Sequence, residues 1–170
     1  MNLTELVVNA RVYEDAKEFL GVADVTLPKL SAMKQLIKGA GIAGEYNTGI
    51  PGYYSAMSMS IKFRGMTDGA IILAEPRSHQ IEVRVVEQVM DTTTRQKSYQ
   101  MIKHVFITTP GDLDAGVVAT AGNNEVPTEH DVSYWAIYRD GTKVFEVDPL
   151  NSICNINGTD FLNEVRAFFA

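Results

Sequence analysis

The stretch DVSYWAIYRDGTKVFEVD, residues 131–148, decides the fold of this chain. It consists of two runs of alternating side chains joined by Asp140-Gly141, and Asp-Gly between alternating runs is the strongest local signal for a β-hairpin. Large apolar groups occur on both faces of the first run, for example at Tyr134 and Trp135. We therefore expect this strand to be covered on both sides, by its own domain or by a neighbouring subunit.

Two long strands and several shorter ones are predicted before and after the hairpin. Residues 79–90 and 98–109 alternate apolar and polar side chains over their whole length, which suits a barrel wall with one apolar and one hydrated face. Their histidines, His79 and His104, are expected to face each other across the pair. Shorter strands are predicted at residues 7–13, 19–25, 53–63 and 150–156.

Two short helices complete the predicted elements. Thr67 is a suitable N-cap for a buried helix that Pro76 ends. Thr159 is expected to cap a C-terminal helix, whose apolar stripe would consist of Phe161, Leu162, Val165, Phe168 and Phe169.

A glycine-rich segment lies in the first third of the chain. Residues 29–38 fit either a short helix or an extended arm, and KGAGIAGEYNTGIPG at residues 38–52 predicts a long irregular loop. The chain is therefore predicted to be mainly β, an antiparallel β-sandwich or barrel with two short α-helices and an extended glycine-rich arm. Its 170 residues fit one domain, residues 1–170.

Composition excludes several classes of protein. The net charge of −6 argues against nonspecific adhesion to nucleic acid, because phosphate binding requires clustered Lys and Arg. The single cysteine permits no internal disulfide. The start MNLTELVV is not a secretory signal, and the apolar runs are too short for a membrane anchor. We expect a soluble protein made in a cytoplasm.

No catalytic, cofactor or metal site can be assembled from the sequence. GAGIAG at residues 39–44 matches G-x-G-x-x-G, but the following Gly49, Pro51 and Gly52 cannot form the helix that a dinucleotide site requires. The three histidines lack metal-ligand spacing, Cys154 lies in an apolar run, and the carboxylates are scattered. A structural assembly protein is the natural interpretation.

Six sequence elements support this interpretation through their order and spacing. They are GVADVTLPKL at residues 21–30, KGAG at residues 38–41 with Gly44, Ser58-Met59, Thr67-Asp68, the hairpin at residues 134–148, and INGTD at residues 156–160. In these elements the chain resembles the major tail tube proteins of contractile-tailed bacteriophages, the P2-like tail tube family, which also serves R-type bacteriocins (tailocins).

The resemblance implies a structural virion protein without enzymatic activity or cofactor. Subunits of the family form hexamers that stack into a tube inside a contractile sheath, and their strands join into one inner barrel. Baseplate and tape measure proteins are implied partners, genome ejection passes DNA through the lumen without specific binding, and assembly occurs in the host cytoplasm. A flexible arm can order on assembly, so the expected ring-to-ring contact includes Gly39, Gly41, Gly44 and Gly49. The expected lumen-facing side chains are Glu82, Arg84 and Gln88.

Two alternatives remain open at the level of sequence. The hexameric tube protein of type VI secretion shares the architecture. A monomeric ligand-binding β-barrel of lipocalin type is a more distant alternative, and it predicts an apolar cavity in a protein that does not assemble.

Overall fold

A computed structural model describes residues 1–19 and 21–170. Leu20, inside the predicted strand at residues 19–25, lies outside the described residues. The elements are β1 (Asn2–Glu14), β2 (Lys17–Glu18), β3 (Val22–Thr26), β4 (Ala32–Lys38), β5 (Glu45–Tyr54), β6 (Met57–Arg64), α1 (Asp68–Leu73), β7 (His79–Asp91), β8 (Lys97–Leu113), β9 (Glu125–Arg139), β10 (Thr142–Asp148), β11 (Ile153–Ile156), β12 (Thr159–Asp160) and α2 (Asn163–Ala167).

Ten strands form one antiparallel sheet, and β4 and β5 form a separate two-stranded sheet. The main path runs β12-β11-β10-β9-β8-β7-β1-β2, and β6 joins it by pairing with β9 and β3. β9 pairs with β6 through its first half and with β10 through its second half, while β8 lies along its other edge. The mainly β antiparallel fold is confirmed, although the sheet does not close into a barrel within the described part of one subunit.

The predicted hairpin consists of β9 and β10. Asp140 and Gly141 both have positive φ, 47° and 83°, as a two-residue turn that matches the strand twist requires. The turn is also fastened to β8. The Asp140 N–H donates to the carbonyl of Met101, and the Asp140 carboxylate accepts from the Met101 N–H, both at 3.0 Å.

An aromatic stack covers the hairpin from within the same subunit. The rings of His104, Phe106, Trp135 and Phe145 have contacting centroids 4.9–6.1 Å apart. Trp135 Nε1 donates to His104 Nδ1 at 3.2 Å, which leaves the imidazole proton on Nε2. Trp135 therefore packs against side chains of its own β8 and β10.

The two helices differ in how well the sequence predicted them. Thr67 caps α1 as expected, since its Oγ1 accepts from the Ala70 N–H at 3.4 Å, and Ala70 and Leu73 are fully buried. The prediction of a C-terminal helix capped by Thr159 is wrong. Thr159 pairs with Ile156 in the β11–β12 hairpin, so α2 begins only at Asn163, and it is too short to carry the predicted stripe. None of the helices in the described residues is long and apolar enough to cross a membrane.

Substitution of Phe106 tests how much the aromatic stack contributes to the free energy of unfolding. Its side chain is fully buried, and replacing a buried Phe by Ala costs about 3–5 kcal/mol, so we expect Phe106→Ala to lower the free energy of unfolding by that amount. Phe168 is 87% exposed, so Phe168→Ala should change it by less than about 0.5 kcal/mol. Urea unfolding of the unassembled subunit measures both, and equal effects of the two substitutions would contradict this packing.

Candidate assembly surfaces

The glycine-rich arm is an extended hairpin. The prediction of an irregular loop over residues 38–52 is therefore wrong. β4 pairs with β5 from Lys38↔Glu45 to Ala32↔Tyr54, so only residues 39–44 form the connecting loop. Ser55 N–H donates to the Ser31 carbonyl at 2.8 Å and closes its base. Nearly the whole arm is exposed, and its strands pair with no other strand of the described chain.

The four predicted arm glycines have two different structural roles. Gly39, Gly41 and Gly44 lie in the tip with φ of 152°, 85° and 113°, in open space. These angles lie in the region that side chains disfavour, so glycine permits the turn there. Gly49 lies within β5, where a Cβ would approach the Met33 carbonyl oxygen to 2.7 Å. Gly49 therefore permits the close approach of the two strands.

The arm has one apolar face. Directly paired residues of an antiparallel sheet point to the same side, and the pair Ile37↔Tyr46 places these two side chains together with Ile50. The polar pair Gln35↔Thr48 lies between them on this apolar face, and the opposite face carries Lys34, Lys38, the exposed Leu36 and their paired neighbours, Glu45 among them. Tyr46 and Ile50 are 55% and 58% exposed, so this apolar face has no partner within the described subunit.

The outer edge of β1 is a second surface without a partner. β1 pairs with β7 along its length, but β2 covers its outer edge only at Tyr13 and Glu14, and the Phe19 N–H binds the Val12 carbonyl. Residues 2–11 therefore present an open strand edge within the described structure. The sequence predicted a strand only from residue 7, and thus missed half of this edge.

Residues 97–100 of β8 form another open edge at the same end of the sheet. β9 pairs with β8 only from Ile102 onward. The turn residue Asp140 forms hydrogen bonds with the backbone N–H and carbonyl of Met101. In the described residues, β1, β7 and β8 therefore form a three-stranded end of the sheet with two open edges. One is the outer edge of β1, and the other is residues 97–100 of β8.

The three predicted polar residues of β7 share a face. Ile81, Val83 and Val89 are buried in the core, whereas Glu82, Arg84 and Gln88 point to the opposite side. Arg84 donates to Glu82 at 2.9 and 3.2 Å. Its guanidinium also lies 4.3 Å from the centre of the Tyr13 ring, and Gln88 donates to Glu5 at 2.6 Å.

The same face continues over β8, β9 and β10. The register Arg84↔Lys103↔Tyr138↔Lys143 places these side chains in one row. Lys103 Nζ lies 4.7 Å from the centre of the Tyr138 ring, and Lys143 lies 5.7 Å from it and forms an ion pair with Glu146. The Glu146 partner raises the pKa of Lys143. Each cation of this row therefore has a carboxylate or an aromatic ring as a local partner.

The buried histidines are structural. The predicted His79–His104 pair is wrong, because the turn after β7 sets the register at His79↔Thr108 and Val83↔His104. His79 Nδ1 lies 2.5 Å from a Glu14 oxygen, which also accepts from Arg77 at 3.0 Å. Burial lowers the pKa of His104. Among the described residues, no cluster of His, Cys, Asp or Glu is arranged to hold a metal ion.

Cys154 is unsuited to nucleophilic chemistry. Its thiol is fully buried, and burial raises its pKa, so the reactive thiolate is disfavoured.

Comparisons with known proteins cover both the sheet and the arm. The sequence matches the family model of phage tail tube protein FII over residues 4–168. It is also similar to the tail tube protein of Escherichia phage P2, with 25% identity over 158 residues, which are 91% of this chain and 91% of that protein. The matched region includes most of the open β1 edge and the entire arm.

His130 makes the subunit sensitive to acid. Burial, followed by the field of His79, lowers the pKa of His130 from 6.5 to about 4. The neutral imidazole is therefore favoured in the folded state, and its stabilisation is complete above pH 6.5 and is lost as the pH falls towards 4. We expect this loss to be about 3 kcal/mol.

The test is the slope of unfolding free energy against pH. The imidazole contacts Thr128 Oγ1 through Nε2 at 2.9 Å, and Gln offers an amide nitrogen at a similar reach without titrating. We expect His130→Gln to reduce the loss of stability between about pH 6.5 and 4 in urea titrations. An unchanged slope would contradict this role of His130.

Proposed function

Because this chain belongs to the phage tail tube protein FII family, we propose that its subunits form hexameric rings that stack into a hollow tube. Family membership makes the chain a structural protein of a phage tail tube, not an enzyme. The observation that supports ring assembly most strongly is the open edge of β1 at residues 2–11.

The open strand edges supply the ring contact. An unpaired edge is a template for pairing with another chain. The two edges at the β1–β7–β8 tip are different, residues 2–11 and residues 97–100, so a contact between them is heterologous. A heterologous contact that closes forms a ring, and a closed sheet retains no edge. The sheet that stays open in one subunit then becomes part of a continuous inner barrel.

The arm supplies the ring-to-ring contact. It projects from the body as a two-stranded sheet, and every residue of the tip formed around Gly39, Gly41 and Gly44 is exposed. Gly49 keeps the two strands close enough for the arm to act as one element. Exposed apolar patches mark interaction sites, so the apolar face of the arm is the part that contacts the next ring.

The polar face of β7, with Glu82, Arg84 and Gln88, lines the lumen. Glu82 neutralises Arg84, and the cation–π contact of Lys103 with Tyr138 holds that ammonium against the wall, so the face binds the phosphates of passing DNA less strongly than free cations would. The net charge of −6 acts in the same direction over the short range that physiological salt allows, about 8 Å.

The remaining partners follow from the tube itself. A baseplate provides the first ring surface, tape measure protein and DNA occupy the lumen, and a contractile sheath surrounds the tube. In this proposal subunits assemble in the host cytoplasm and end in the virion tail.

Removal of the arm separates ring formation from stacking. Replacing residues 34–49 by a two-residue turn deletes the paired segment and retains the Ala32↔Tyr54 base. We expect folded subunits that still form rings but no tubes, as seen by mass measurement and negative-stain microscopy. Deletion of residues 118–121 in the exposed loop after β8 is the control and should leave tubes intact. Normal tubes from the arm deletion would refute the stacking role.

Glu82→Gln tests the lumen assignment, since it leaves Arg84 without its carboxylate. We expect tubes of this variant to retain more short duplex DNA in cosedimentation, with an excess that falls as salt rises. Addition of Arg84→Gln should remove the excess. Glu164→Gln, on α2, is the control. Equal retention by Glu82→Gln and wild type would contradict a lumen position for this face.

A further inference from the structure

An apolar groove lies beside the open edge of β1. Its volume is about 350 Å³, within the range of protein clefts that bind ligands. Val12, Val83 and His104 are buried and form its floor. Val22 and Val25 of β3 form part of its half-exposed wall, and the remaining apolar lining is Val7, Ala10, Ala23, Leu27, Val85 and Ile102.

The groove is not filled by the arm of its own subunit. All of its lining residues belong to β1, β3, β7, β8 and Leu27, and none belongs to the arm. The base of that arm is fixed elsewhere, because Gly52 lies against Leu162 and Cys154, where a Cβ would come within 2.9 and 3.2 Å. The described subunit thus presents an unpartnered apolar groove and an unpartnered apolar arm face.

Complementary charge favours contact between the groove and the arm. The lining includes two carboxylates, Asp24 and Glu87, and neither Lys nor Arg. Asp24 has Lys62 at 3.8 Å, whereas Glu87 accepts a hydrogen bond from the uncharged Gln100 at 2.8 Å. The arm carries Lys34 and Lys38 against the single acid Glu45, so it is net positive in a chain of net charge −6. Complementary charge accelerates encounter and fixes orientation.

We propose that the groove of one copy receives the apolar face of the arm of another copy, with Ile37, Tyr46 and Ile50 on the groove side. This inference rests on the proposed tube assembly and adds the acceptor surface for the arm. Burial of these side chains against Val22, Val25 and Val85 would remove from water the apolar area that both surfaces now expose. Lys34 and Lys38 lie on the opposite face of the arm, so their charge favours the approach to Asp24 and Glu87 at longer range and not through direct contact.

Photo-cross-linking from the arm tests the acceptor surface. A benzophenone amino acid replaces Tyr46, on the apolar face, or Asn47, on the opposite face, in tubes made from mixed light and heavy isotope-labelled subunits. We expect the probe at position 46 to give mixed-isotope cross-links to peptides that contain residues 22–27 or 83–87. The probe at position 47 should not. Tubes in which the probe at position 46 gives no such cross-link would overturn the proposal.

A pair of truncations gives an independent measure. Ile50 and Leu36 are both exposed in the subunit and lie on opposite faces of the arm. Ile50→Ala should raise the subunit concentration required for tubes by about tenfold or more, whereas Leu36→Ala should leave it nearly unchanged. The reverse order would overturn the docking face. Failure of the unaltered chain to form any tube would instead refute the proposed function.

Discussion

The outer edge of β1, along which residues 2–11 pair with no strand in the described part of the chain, determines how this subunit can assemble. Residues 2–11 present backbone donors and acceptors, with exposed Leu3, Leu6, Val7 and Val8 beside them. Such an edge is an aggregation hazard in a protein that works alone. In a subunit that assembles, the same edge is useful, because strand pairing with the next copy satisfies its backbone donors and acceptors and fixes the orientation of that copy.

The molecule separates the functions of stability and assembly. The aromatic stack around Phe106 and Trp135, the Asp140 turn and the capped α1 stabilise the body of the subunit through contacts within the described chain. The open edge, the arm and the groove are left without partners in that body. Assembly therefore adds contacts to surfaces that the packing of the body leaves exposed.

Local signals predicted the parts of the fold that depend on local geometry. Asp140-Gly141 specified its turn through positive φ, and period-two alternation placed Glu82, Arg84 and Gln88 on one face. Parts stabilised by distant pairing were harder. Residues 2–6 are part of β1 because they pair with β7, which the local sequence does not indicate. In the arm, the glycines interrupt the pattern, so the alternation of Tyr46, Thr48 and Ile50 was not recognised as a strand. The groove combines strands far apart in sequence, so no single stretch indicates it.

Hydrogen exchange of the β1 backbone shows whether the outer edge of β1 pairs with a neighbouring subunit. In unassembled subunits, the amides of residues 2–11 that do not bind β7 should exchange rapidly, because no strand covers the outer edge. In assembled tubes, those of these amides that pair with residues 97–100 of the next subunit should become strongly protected. Rapid exchange of these amides in intact tubes would contradict the account, since the edge would then remain open after assembly.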